Sequence, residues 1–137
     1  MLSSIASLPA SLAVTHPEAE ALDYDLLQRY AAATQILERM LVSTAGTGRI
    51  LELGPNYLNP LPLFLNRERV VLTRADVNPV STDSDFVLLP PDGALPFETD
   101  SFDAVIALEV LEHMPAERRR DFIQECTRVA RHGVILS

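Results

Sequence analysis

Residues 102–137 read FDAVIALEVLEHMPAERRRDFIQECTRVARHGVILS. The first part, FDAVIALEV at 102–110, is almost unbroken in apolar residues, the pattern of a strand covered on both faces. The period then changes. In ERRRDFIQECTRVARHG, residues 117–133, Phe122, Ile123, Cys126, Val129 and Ala130 fall on one helical stripe. Arg128, Arg131 and His132 gather where the negative end of that helix is expected, and Gly133 is placed to cap it. VILS, at 134–137, opens another apolar strand. Strand, helix and strand in this order form a parallel pair joined by a right-handed crossover.

Working upstream, the same alternation continues. RILEL at 49–53, the β-branched RVVLTRADV at 69–77 and DFVLL at 85–89 read as further strands. Before them, Leu22, Leu26, Tyr30, Leu37 and Leu41 recur at three- to four-residue spacing or its multiples, which predicts an amphipathic helix over 22–44. Its end is marked by the two glycines of STAGTGR. Residues 1–21 are rich in Ser and Ala and read as a flexible leader. They hold no Lys or Arg and are cut by Pro9, so they make a poor signal peptide. The expectation is one doubly wound, Rossmann-like α/β domain over 22–137, with its core at 49–137. Such sheets bind ligands beyond the carboxyl ends of their strands, where the strand order reverses. Chemistry is therefore expected just after Leu53, after Ala75, near Leu89 and after Leu108.

Composition narrows the function classes. The 137 residues carry a net charge of −8, which argues against a nucleic-acid or acidic-membrane partner. The one basic run, ERRR at 117–120, reads as a solvated helix face. No apolar run approaches the ~20 residues of a membrane helix. The single cysteine, Cys126, rules out an internal disulfide and falls on the core stripe of its helix, where a small apolar role is expected. A cytoplasmic location fits these features.

The turn after the first strand, ILELGPNYLNPLPLFL at 50–65, begins as a cofactor loop and then departs from one. Gly54 follows the strand, but Asn56 and Leu58 stand where further glycines would be expected. Asn56 tolerates a left-handed backbone and can keep the turn. With Asn59 as the cap, Pro60 takes the first helical position and Pro62 the third, where no backbone N–H is needed. A helix from Pro60 to about Asn66 is predicted. A nicotinamide-type loop would need G-x-G-x-x-G here, and the chain lacks it.

The segment LPFETDSFDAVIALEVLEHMPAERRRDFIQECTRVARHGVILS, from Leu95 onward, resembles a class I S-adenosylmethionine-dependent methyltransferase of type 11. The resemblance rests on Leu95–Phe97, Phe102–Asp103, Leu111–His113, Arg128–Val129 and Gly133, with ILELG in front at the right distance. It implies a sheet in the order 3-2-1-4-5 and S-adenosylmethionine as cofactor. By position, it implies that Glu52 helps anchor the amino-acid end of that cofactor and that Gly54 is the first loop glycine. Asn56 would keep the loop's turn. Asp76 would bind the ribose hydroxyls, and Asp92, one place out of register, is the acid nearest the adenine position. Leu108 and Glu109 would border the sulfonium. In the family the fifth strand is followed by a helix and two strands, which these residues do not include. VILS would then be an open edge, expected to pair with a second copy or a partner segment, or to be covered by the leader.

Glu109, Glu112 and His113 stand within five residues, and if these are helical Glu109 and His113 share a face. Three readings remain open. His113 can serve as a base on an acceptor hydroxyl. The cluster can hold a metal, although no further ligand group accompanies it. Or it is structural, a helix start with acids near its positive end. Two functions stay in view: methyl transfer to a small-molecule acceptor, and a non-catalytic methyltransferase-like binding or assembly module with an altered cofactor loop.

Overall fold

The computed structural model of the chain describes residues 23–42, 44, 46–55 and 59–137. The leader and the loop residues 56–58, with Asn56 and Leu58, lie outside the described residues. Five strands form one parallel sheet in the order β3-β2-β1-β4-β5. They are β1 (Gly48–Leu53), β2 (Val70–Asp76), β3 (Phe86–Leu88), β4 (Phe102–Ala107) and β5 (Ala130–Leu136). Among the described residues three helices accompany them: α1 (Tyr24–Leu41), α2 (Leu61–Phe64) and α3 (Ala116–Val129). The expected order and fold class are those observed. None of the described helices is long and apolar enough to cross a membrane.

The core has two layers, one on each face of the sheet. On one face, Leu26, Tyr30, Ala33 and Leu37 of α1 pack over Ile50, Leu72 and Ile106. These α1 residues recur at helical spacing and are all buried, as the amphipathic pattern requires. On the other face, Cys126 and Val129 of α3 pack over Leu51, Leu53, Val105 and Ala107. β4 is buried along its whole length, which is why its sequence runs apolar without alternation. Burial pushes the Cys126 thiol up to about 12, so it is an unreactive core residue.

Three elements differ from the sequence reading. α3 ends at Val129, not at 133, because Ala130 already pairs with Phe102 and β5 begins there. Arg131 and His132 therefore stand in the strand, where the register shifts between Phe102 and Ala104. Gly133 is not a helix cap. It lies opposite Ala104, and a Cβ there would stand 2.7 Å from Cε of Met40 on α1. α2 is a single turn capped by Pro60, with Asn59 at φ 50, so the entry is one residue later than expected and the helix shorter. Lastly, Glu109 and His113 do not share one helix. A 3₁₀ turn covers only Leu111–His113, and Glu109 precedes it at φ 58.

The amino ends of the strands and the long loop before β4 are tied by the residues of the LPF, FD and RV motifs. Asp103 Oδ2 accepts the Arg49 backbone N–H at 2.7 Å and joins β4 to β1 below their first paired residues. Arg128 donates to the carbonyls of Phe97 (2.8 Å) and Leu95 (3.2 Å), and its Nε meets Glu125 at 2.5 Å. It thereby staples the loop 89–101 onto α3, so one guanidinium accounts for two of the motifs. Phe97 then meets Phe102 edge to face at 5.1 Å.

Candidate functional site

The order of the strands reverses between β1 and β4, and the loops leaving the carboxyl ends there diverge. A cavity of about 730 Å³ opens at that place. That is within the usual size range of a small-molecule site. Gly54 after β1, Asp76 ending β2, Asp92 after β3, and Glu109 and His113 after β4 all line it. Residues spread from position 54 to position 113 thus converge because parallel strands bring all their carboxyl ends to one rim.

Each lining residue has a local reason for its place. Gly54 adopts φ 62, and its N–H donates to the Ala75 carbonyl at 2.9 Å. A Cβ there would stand 2.6 Å from Val110 Cγ2, so β1 and the segment after β4 approach closely only with glycine. Asp76 Oδ1 accepts the Asn78 N–H at 2.9 Å, which orients the carboxylate at the strand end. The carboxylate keeps lone pairs for further donors. Asp92 makes the same turn with the Ala94 N–H at 3.0 Å. Glu109 holds a left-handed backbone that is uncommon outside glycine. Its carboxylate pairs with Arg29 of α1.

Glu52 and Leu108 stand apart from this lining. Leu108 is buried within the core layer under α1. Glu52 is 1% exposed, two residues before Gly54, and faces α1. Its Oε2 accepts the Tyr30 hydroxyl at 3.0 Å, and its Oε1 has no hydrogen-bond partner. Burial pushes its carboxyl up to about 7, against the Tyr30 hydrogen bond and the field of Arg74, which pull it down. His113 is at the rim, its side chain 79% exposed and 3.7 Å from Glu112. Among the described residues, no group of three or more His, Cys, Asp or Glu could hold a metal ion.

Several contributors escaped the sequence reading. Val77, Asn78, Met114, Arg118 and Phe122 also line the cavity. Tyr30 counted only as a member of an apolar stripe, although its hydroxyl reaches Glu52. Arg74, 3% exposed within β2, carries a legible signal: a charge inside an apolar strand needs partners. The acids of DSD at 83–85 supply them.

Residues 63–137, more than half of the chain, match the methyltransferase domain family of type 11. The chain belongs to that family. No curated protein matches the sequence. Among solved structures, the fold is similar to the [4+2]-cyclase SpnF, with a TM-score of 0.55 and 22% identity over 74% of this chain and 41% of that one. It is similar to a candidate sarcosine dimethylglycine methyltransferase from Galdieria sulphuraria (TM-score 0.57, 17% identity, 77% of this chain and 44% of that one). It is also similar to a SAM-dependent methyltransferase from Aquifex aeolicus (TM-score 0.52, 14% identity, 71% and 57%). Likeness at these identities speaks for the fold. This methyltransferase domain spans between 41% and 57% of the length of those three proteins.

Proposed function

We propose that this methyltransferase domain binds S-adenosylmethionine in the cavity at the switch point and supports methyl transfer to a small-molecule acceptor. The observation that carries the reading is the convergence of Gly54, Asp76, Asp92 and Glu109 on one cavity at the reversal of strand order. The donor set fits the cofactor. A strand-end carboxylate with an oriented Oδ1 suits a ribose diol. The side-chain-free Gly54 allows backbone to approach a ligand. The buried, partnerless Oε1 of Glu52, two residues before Gly54, suits a water or ammonium group at the amino-acid end.

S-adenosylmethionine supplies a methyl group already activated on a sulfonium leaving group. The chain's own work is then alignment and exclusion of water. Asp76 and Asp92 hold the nucleoside side of the cavity, and Gly54 shapes its amino-acid side, with Glu52 buried two residues before it. Glu109 places a carboxylate between α1 and the cavity. Of the lining side chains, the His113 imidazole offers a ring nitrogen at the rim, so it is the group to receive a proton from an acceptor hydroxyl or ammonium.

The test is calorimetric titration with S-adenosylhomocysteine. Binding is expected in the wild type, weakened in Asp76→Ala by about 1–3 kcal/mol. A folded wild type that binds neither this compound nor S-adenosylmethionine at near-millimolar concentration would overturn the reading. That result would favour a module kept for binding or assembly. SpnF, a cyclase by name, is a reminder that this fold does not fix one chemistry.

A further inference from the structure

Parallel neighbours usually need a crossover of about a dozen residues or more, most often a helix. β2 and β3 are joined by residues 77–85 alone, with no helix. The connection must leave the carboxyl end of β2, return along the face of the sheet and enter β3. A segment of this kind, DVNPVSTDSD with its flanking acids, has little apolar surface to pack. Something else must hold it against the sheet.

Arg74 does so. Its guanidinium meets Asp83 Oδ2 at 2.8 Å, Ser81 Oγ at 3.2 Å and Asp85 Oδ1 at 2.9 Å, and its Nε meets Asp85 Oδ2 at 3.3 Å. The pair with Asp85 is bidentate, the strong arrangement for arginine. The Arg74 side chain is 4% exposed; of its two acidic partners Asp83 is 68% and Asp85 26% exposed, so the pair with Asp85 is the better shielded from solvent and salt. Ser81 in turn accepts the Asp83 N–H at 3.1 Å, so the far half of the connection is one bonded unit around the guanidinium.

The near half of the same connection is cavity wall. Asp76, Val77 and Asn78 all line the cavity, and Val80 N–H donates to the Asn78 carbonyl at 2.9 Å. Arg74 also stands two residues before Asp76 and directly across the ladder from Glu52. One side chain thus touches the segment that ends at the ribose-type acid and neighbours the buried acid of β1.

We infer that Arg74 is a positioning residue for the ligand cavity: by clamping Ser81, Asp83 and Asp85 it replaces the missing crossover helix and holds Asp76, Val77 and Asn78 as the nucleoside-side wall. The inference rests on the cofactor reading above. It assigns the affinity for the nucleoside part of the ligand to a cluster that lies outside the cavity lining.

Replacing Arg74 itself would leave Asp85 unpaired and endanger folding, so the test loosens the clamp from its outer side. In Ser81→Ala/Asp83→Ala the bidentate pair with Asp85 remains. The conservative pair Ser81→Thr/Asp83→Glu keeps hydroxyl and charge. Titration with S-adenosylhomocysteine and with adenosine is expected to show both ligands weakened about two- to tenfold in the first variant, the range of one weakened hydrogen bond. The conservative variant should bind within twofold of the wild type. Hydrogen exchange of the ligand-free protein should quicken over 77–85 in the first variant while the thermal midpoint stays near that of the wild type. Unchanged affinity in a first variant whose exchange has quickened overturns the inference and leaves the cofactor reading standing. Equal affinity loss in both variants overturns it as well. A wild type that binds neither compound overturns the cofactor reading and the inference built upon it.

Discussion

Glu52 and Asp103 are both carboxylates in buried strands of the same sheet, one near each end, and they are treated in opposite ways. Asp103, at the amino end of β4, accepts the Arg49 backbone N–H at 2.7 Å, and its other oxygen lies 3.7 Å from His132. Glu52, near the carboxyl end of β1, has one oxygen on the Tyr30 hydroxyl and the other without a partner. A buried charge is tolerated where the chain itself satisfies it, and is costly where it does not. The amino end is a closed joint. The carboxyl end keeps polar capacity in reserve, which is what a ligand site requires. The left-handed Glu109 lies on that same side of the sheet, at the rim.

The largest effect expected from this contrast is on pH dependence. Glu52 keeps its proton up to about 7 in the folded chain, against an ordinary 4.5. Between those values the folded state holds more protons than the unfolded one. Stability from this group is therefore greatest below about 4.5 and falls as pH rises through about 7. The loss is on the order of 3 kcal/mol. Glu52→Gln should remove that slope, making the variant more stable than the wild type at pH 8 and nearly equal to it at pH 4.5. Urea unfolding at the two values measures the difference. If the gap between the two proteins does not widen with pH, Glu52 is satisfied in solution and the contrast with Asp103 fails. Cofactor affinity above about pH 7 should fall in the same variant, since only there does the wild type carry a charge that Gln lacks.

The closed end gives the next effect. Asp103→Ala leaves the Arg49 N–H without its acceptor at the start of the β1–β4 pair. A loss of about 0.5–1.5 kcal/mol in unfolding free energy is expected, the worth of one part-buried hydrogen bond. S-adenosylhomocysteine affinity should stay within twofold, because Asp103 lies at the end of the sheet away from the cavity. A variant of unchanged stability but weakened binding would reverse the roles given to the two ends.

How far the sequence discloses this division depends on the kind of signal. The strands of the sheet were legible because β1, β4 and α1 carry unambiguous apolar periods, and their order was what the resemblance to the family implied. Rim positions followed from the rule for parallel sheets, and Gly54, Asp76, Asp92, Glu109 and His113 do meet at one cavity. Leu108 stands outside the lining because it turns into the core where β4 ends, and strand alternation does not reveal which face a residue takes there. The end of α3 was misjudged for a related reason. Arg131, His132 and Gly133 continue a plausible helix, and only the pairing of Ala130 with Phe102 stops it. Tertiary pairing outweighs local propensity there. The clamp around Arg74 was hidden because it joins a strand residue to a connection whose path local sequence does not specify.

The smallest expected effect sharpens the reading of the closed end. Asp103 has two neighbours of different kinds, a backbone N–H within hydrogen-bond range and an imidazole beyond it. If the N–H is the anchor, His132→Gln changes unfolding free energy by less than about 1 kcal/mol, the usual worth of a part-exposed ion pair. The His132 side chain is 35% exposed, so water can replace it beside the carboxylate. The bulge that carries it should persist, because its register is set by Ala130 opposite Phe102 and Gly133 opposite Ala104. The double variant with Asp103→Ala completes a cycle. A coupling near zero leaves the β1–β4 joint to the backbone bond alone. A coupling above about 1 kcal/mol would mean that β5 is also tied in through His132, and that the amino end is a three-strand joint.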